Sequence, residues 1–169
     1  MRVFTLILLS FFILSVSAES LKIGYIDTEL VVNNLKQYND GKALIAEEFE
    51  LKKQELLDLF NHIELLRANL SEIDQTLTEK DFQIELNKVL DLELSFKKET
   101  EYWQTAINNK QLDLLQKIEF IINNAIKEFA LNENYDLILY ENAAFVSDSI
   151  NISNKIISKI ENNSLWTIH

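Results

Sequence analysis

The chain has no cysteine and no proline, and only two glycines and two histidines among its 169 residues. Without cysteine there is no disulfide framework. With no proline and with Gly24 and Gly41 as the only glycines, tight turns are few, and the composition suits long helices. His62 and His169 form no HExxH motif, no glycine-rich phosphate loop is present, and no set of reactive side chains converges in the sequence. An enzyme is therefore not expected, nor a catalytic residue, a cofactor or a metal. Basic residues are also scarce: 16 Lys and Arg against 27 Asp and Glu give a net charge of −11. That balance argues against nucleic acid and against purely electrostatic attachment to an anionic membrane, since both need clustered cations.

What the chain does contain begins with an export address. Arg2 supplies a positive start, Val3 to Leu14 are almost wholly apolar, and Val16-Ser17-Ala18 places small residues where a signal peptidase cuts. Cleavage is expected after Ala18, because the apolar run is well short of the ~20 residues of a membrane span. Loss of Arg2 would make the exported chain more acidic still.

The dominant pattern follows. Leu56, Leu59, Ile63, Leu66, Leu70, Ile73 and Leu77 recur in steps of three and four, and a second apolar series answers them. Leu77 opposes Phe82, Ile73 opposes Leu86, Leu70 opposes Val89, Ile63 opposes Phe96 and Leu56 opposes Trp103, and the two numbers of every pair have the same sum. A constant sum means two helices folded back antiparallel about a tip near Glu79 and Lys80, each turning one heptad stripe to the other. Thr78 starts the return with Asp81 in the acidic place of a capping box. Asn39-Asp40-Gly41 is expected to punctuate the start of the outward helix, with Asn39 or Asp40 as its cap. The return helix runs to about Leu131, and its root, from Leu114 to Phe129, is apolar enough to be buried.

The ends read differently. Leu21 to Asp27 (LKIGYID) is a short strand candidate, and Leu30 to Leu35 a brief helix. Tyr135 to Tyr140 (YDLILY) is the clearest strand, Ala143 to Val146 a possible third, and Asn151 a cap for a short helix bearing Ile152, Ile156, Ile157 and Ile160. The fold class is thus α+β, mostly α. Residues 1–18 form a signal peptide, 19–38 together with 132–161 a small β body with short helices, 39–131 the hairpin arm and 162–169 a C-terminal tail. So small a body cannot carry a long arm alone, and its strand edges invite pairing. Closing the strands into a common barrel with copies of the chain answers both problems. Ile23, Tyr25, Leu137, Ile138, Leu139 and Phe145 are the residues expected in that shared body.

LKIGYIDTELVVNN at one end and NYDLILYENAAFVSDSINISNKI at the other, with a long hairpin between, are similar to the Skp/OmpH family of periplasmic chaperones. The resemblance implies a homotrimer in which strands join in a central β-barrel and three hairpins hang like tentacles around a cavity. It implies a periplasmic holdase that binds unfolded outer-membrane proteins without ATP and prevents their aggregation. The competing class is a structural or adaptor coiled-coil protein of the cell envelope. One departure matters: the best-known members are strongly basic, whereas Asp40 to Leu77 hold nine acids and four bases, and Thr78 to Leu131 ten and seven. No lipopolysaccharide site is therefore carried over, and no strong binding to anionic membranes is expected.

Off the seam, Leu51, Leu57, Leu65, Leu94 and Tyr102 point outward on the helical wheel. Single exposed apolar residues are ordinary; as a set on an arm, they are candidates for weak, multiple contacts with unfolded clients. Within the seam, Thr100 opposes Leu59, Glu93 opposes Leu66, Lys52 opposes Ile107 and Lys110 opposes Phe49. Polar groups there set register and lower stability, which would loosen the arm unless their long side chains snorkel to water. His62, flanking the seam, reads as a half-buried helical side chain. The triplets at Asn69, Asn151 and Asn162 match the N-glycosylation pattern by chance in so asparagine-rich a chain.

Overall fold

The computed structural model describes residues 20–73, 78–140 and 143–163. Strand β1 (Ile23–Ile26) leads into α1 (Thr28–Asn34), then α2 (Lys36–Ile73), α3 (Glu79–Asn132), β2 (Leu137–Tyr140) and α4 (Ser153–Glu161). The two strands pair in parallel, Ile23 opposite Leu137 through Ile26 opposite Tyr140. Helices α2 and α3, of 38 and 54 residues, make the arm. At the standard rise they are roughly 57 and 80 Å long.

Local chemistry sets each boundary. Asp27 caps α1 by accepting the Leu30 amide at 2.9 Å. Leu35, fully buried and in an extended conformation, breaks the helix for one residue before α2 begins. Thr78 caps α3: its hydroxyl accepts the Asp81 amide at 3.2 Å and donates to the Asp81 carboxylate at 2.6 Å. Helix α3 ends at Asn132 with Glu133 as its C-cap, followed by Asn134 with φ 53°, a left-handed conformation asparagine tolerates, and the Tyr135 amide turns back to the Ala130 carbonyl.

Two expectations are corrected. Asn39-Asp40-Gly41 lies inside α2 and caps nothing, because the break falls earlier, at Leu35. Asn39 instead braces the α1–α2 joint, its amide nitrogen donating to the Asn33 and Leu35 carbonyls, each at 3.1 Å. Gly41 is there for space: a Cβ would stand 2.5 Å from Cδ1 of Leu114 on α3. Ala143 to Val146 form no strand either. The segment that reaches the sheet lies further on, where Asn151 bridges to Tyr25: the Tyr25 amide donates to the Ile150 carbonyl at 2.8 Å, and the Ile152 amide to the Tyr25 carbonyl at 2.9 Å. Strand β1 is thus flanked on both sides, and β2 keeps one edge open among the described residues.

The core sits at the root of the arm. Ile26, Val31, Leu35, Ile152, Ile156 and Ile160 close over Leu114, Ile118, Ile121, Ile122 and Ala125 of α3. Asn151 accepts the Ser153 amide at 3.0 Å, and the buried Ser153 hydroxyl accepts the Asp27 amide at 2.9 Å, tying α4 to the end of β1. Gly24 lets Ile152 and Tyr135 pack close above the strand, where a Cβ would meet them at 2.9 and 3.1 Å. The signal segment, Leu77 with its pairing to Phe82, the Ile73 side chain, Glu141-Asn142 and the tail from Ser164 lie outside the described residues.

Candidate functional site

The seam that joins α2 to α3 is narrow. Leu56, Ile63 and Val89 are its buried residues, while Leu59, Leu66, Leu70, Phe96 and Trp103 are half-buried. Phe96 packs on Phe60 with ring centroids 5.8 Å apart, and the Trp103 indole donates to the Phe49 carbonyl at 3.4 Å. Near the tip the expected register holds, since Leu70 and Val89 line one cleft with Leu66 and Leu92. Nearer the root, Gly41 faces Leu114 of α3, and Lys110 pairs with Glu48. The missing side chain at Gly41 allows that close approach. The cleft near the tip holds about 780 Å³ and is open to solvent; His62 is on its rim, exposed rather than half-buried as expected.

Three of the four polar seam residues reach across the hairpin to opposite charge. Lys52 binds Glu99 at 2.5 Å and Glu55 at 3.2 Å; Glu93 binds Arg67 at 2.7 Å; Lys110 binds Glu48 at 3.0 Å. The hydrogen bond from Lys52 holds the Glu99 carboxyl below its ordinary pKa, and the same bond raises Lys52. Glu93 likewise raises Arg67, while Gln54 and then Lys53 lower Glu50. None of these groups is buried, Lys52, Glu93 and Glu99 being half-exposed and the rest exposed, so each pair orients the helices more than it stabilises them. The fourth, Thr100, keeps its hydroxyl buried without a partner among the described residues.

All five off-seam candidates stand in solvent: Leu51 is 73% exposed, Leu57 46%, Leu65 59%, Leu94 52% and Tyr102 77%. They do not converge on one point but are strung along both helices. Leu44, Leu90, Leu112 and Phe120 are equally exposed and were not singled out from the sequence. The seven-residue step from Leu44 to Leu51 was the available signal. On the body, Leu137, Leu139, Tyr140 and Phe145 are exposed, while Ile23, Tyr25 and Ile138 are half-buried. Ile138 packs inward against the core, so β2 turns one apolar face to the protomer and another to solvent. Among the described residues no cluster of side chains could hold a metal ion, and no helix is long and apolar enough to cross a membrane.

The arm thus carries exposed apolar side chains, and the body keeps one open strand edge among the described residues. The family model described as outer membrane protein (OmpH-like) matches residues 22–160. The chain is 30% identical over 162 residues to the chaperone protein Skp of Vibrio cholerae serotype O1, covering 92% of this chain and 94% of that protein. Its fold superposes on the crystal structure of an OmpH-like protein of Caulobacter crescentus, described as a candidate outer membrane chaperone. The TM-score is 0.74 with 88% of each chain covered, and the 9% identity makes this a likeness of fold alone.

Proposed function

The chain belongs to the OmpH-like family, a chaperone family rather than a class of enzymes, and from that premise we propose that it is a periplasmic, ATP-independent holdase for unfolded outer-membrane proteins. The observation that carries this reading is the exposure of Leu51, Leu57, Leu65, Leu94 and Tyr102 along a charged arm. Isolated in a hydrophilic surface, such side chains give many weak contacts rather than one tight site, which suits capture followed by release. Export follows from the N-terminal segment, with cleavage after Ala18, and the absence of strong membrane attraction from the acidic surface. The working form is a homotrimer: Leu137, Leu139 and Phe145, with the open edge of β2, are covered by neighbouring copies as strands close into a barrel.

The test is suppression of aggregation. Several unrelated β-barrel proteins are diluted from denaturant with and without the purified chain, and turbidity is followed while light scattering gives the mass of the complex. A holdase keeps all of them soluble near one trimer per client without nucleotide. A structural or adaptor coiled coil protects none of them, or a single fixed partner, and that result would overturn the reading.

A further inference from the structure

Helix α2 carries a second heptad stripe that the hairpin does not use. Leu44, Leu51 and Leu65 recur at seven-residue steps, with Asp58 at the intervening place, and the three leucines are 65%, 73% and 59% exposed. Glu47 and Glu55 fall on the same side one helical turn away from Leu51. Along this line apolar side chains therefore alternate with carboxylates. Beyond Asp40 the bases of α2 are Lys42, Lys52, Lys53 and Arg67, and each sits more than a quarter of a turn round the helix from Leu51. Glu55 shares Lys52 with Glu99 at the edge of the stripe, and Glu48 beside it is taken by Lys110. Glu47 and Asp58 have no basic partner among the described residues.

We propose that this stripe docks cationic amphipathic segments of unfolded chains, whose Lys and Arg flank the apolar residues that cover Leu44, Leu51 and Leu65. The inference rests on the holdase reading and gives it a client class. Leucines alone would accept any apolar segment. Covering them also draws the neighbouring carboxylates partly out of water, which is costly without a counter-charge. A cationic segment supplies that charge and is steered toward the acidic arm before contact; an acidic one is repelled. The selectivity is thus electrostatic in sign and apolar in strength.

The experiment uses the full exported chain and two labelled, unstructured peptides of identical apolar content, one with lysine and one with glutamate flanks, followed by fluorescence anisotropy at low and high salt. The lysine peptide is expected to bind roughly fivefold tighter or more at low salt, and the preference should shrink as salt screens it. The double change Glu47→Lys and Asp58→Lys should reverse the preference. Leu51→Ser with Leu65→Ser should weaken both peptides several-fold and leave their ratio alone, with circular dichroism checking that the helices persist. Equal binding of the two peptides overturns the charge selectivity while leaving the holdase reading intact. A preference unmoved by the charge reversal overturns the assignment to this stripe. Failure to bind either peptide while β-barrel proteins are still protected overturns the stripe alone, and failure to protect any β-barrel protein overturns both readings together.

Discussion

At the scale of single residues, spacing and charge make the sharpest claims. Gly41 costs α2 helix propensity, by about 1 kcal/mol against alanine, yet it is where α2 meets Leu114. Leu114 is itself buried, so it has little room to yield to a Cβ 2.5 Å from its Cδ1. Gly41→Ala should therefore destabilise the protein by ~1–2 kcal/mol, overpacking outweighing the propensity gain; a melting temperature that stays or rises would contradict this. The Lys52–Glu99 pair makes a prediction about pH. Glu99 has a folded pKa below its unfolded value, so its contribution is complete above the ordinary glutamate range, ~4.3, and is lost as pH falls through the folded value. Lys52 is raised, so its contribution is complete below the ordinary lysine range and is lost only in strong alkali. Glu99→Gln should consequently lower the denaturation midpoint at about pH 6 and lower it by less at about pH 3, below the ordinary glutamate range, where the carboxylate's contribution is being lost. A gap of equal size at both pH values would mean that charge is not what the pair contributes.

At the scale of elements, the arm and the body are held by different amounts of apolar contact. Ile118, Ile156 and Ile160 in the body are completely buried, whereas the arm relies on Leu56, Ile63 and Val89 and opens into a cleft beside Leu66 and Leu70. Amide exchange should follow this gradient, fastest around Leu66 and Leu92 and slowest around Ile118 to Ala125. Uniform protection from root to tip would show that the cross-helix ion pairs rigidify the arm enough to replace packing. The same gradient explains what the sequence revealed. The hairpin was legible because its heptad period repeats over many turns and Thr78 with Asp81 marks the reversal, as was the apolar root of α3. The cap assigned to Asn39-Asp40-Gly41 failed because a glycine reads as a break when its tertiary neighbour, Leu114, is unknown. Ala143 to Val146 failed because a short apolar run has no period of its own, and the bridge at Asn151 depends on Tyr25 across the sheet. The exposure of Leu51, Leu65 and Tyr102 followed from the helical wheel alone, but nothing local in the sequence could show that Lys52 reaches Glu99 rather than leaning into water.

At the scale of the whole molecule, assembly comes down to which side of β2 is satisfied within one protomer. A two-stranded sheet is marginal by itself, and here Ile138 is the strand residue that packs against the protomer core, while Leu137, Leu139 and Tyr140 are 42%, 50% and 57% exposed and Phe145 86%. A charge placed at Ile138 would damage the protomer and the assembly alike and so would separate nothing. Leu139→Asp is the discriminating change, because its side chain already stands in water in the isolated chain and would be buried only when copies close around it. In a trimer joined through β2, that carboxylate becomes a buried, unpaired charge, which the assembly cannot accommodate without losing several kcal/mol. The expected result is a shift from trimer to monomer by light scattering with the helical circular dichroism retained. If the variant remains trimeric, the strands do not close through this face, and the arms would have to be brought together by contacts elsewhere on the chain.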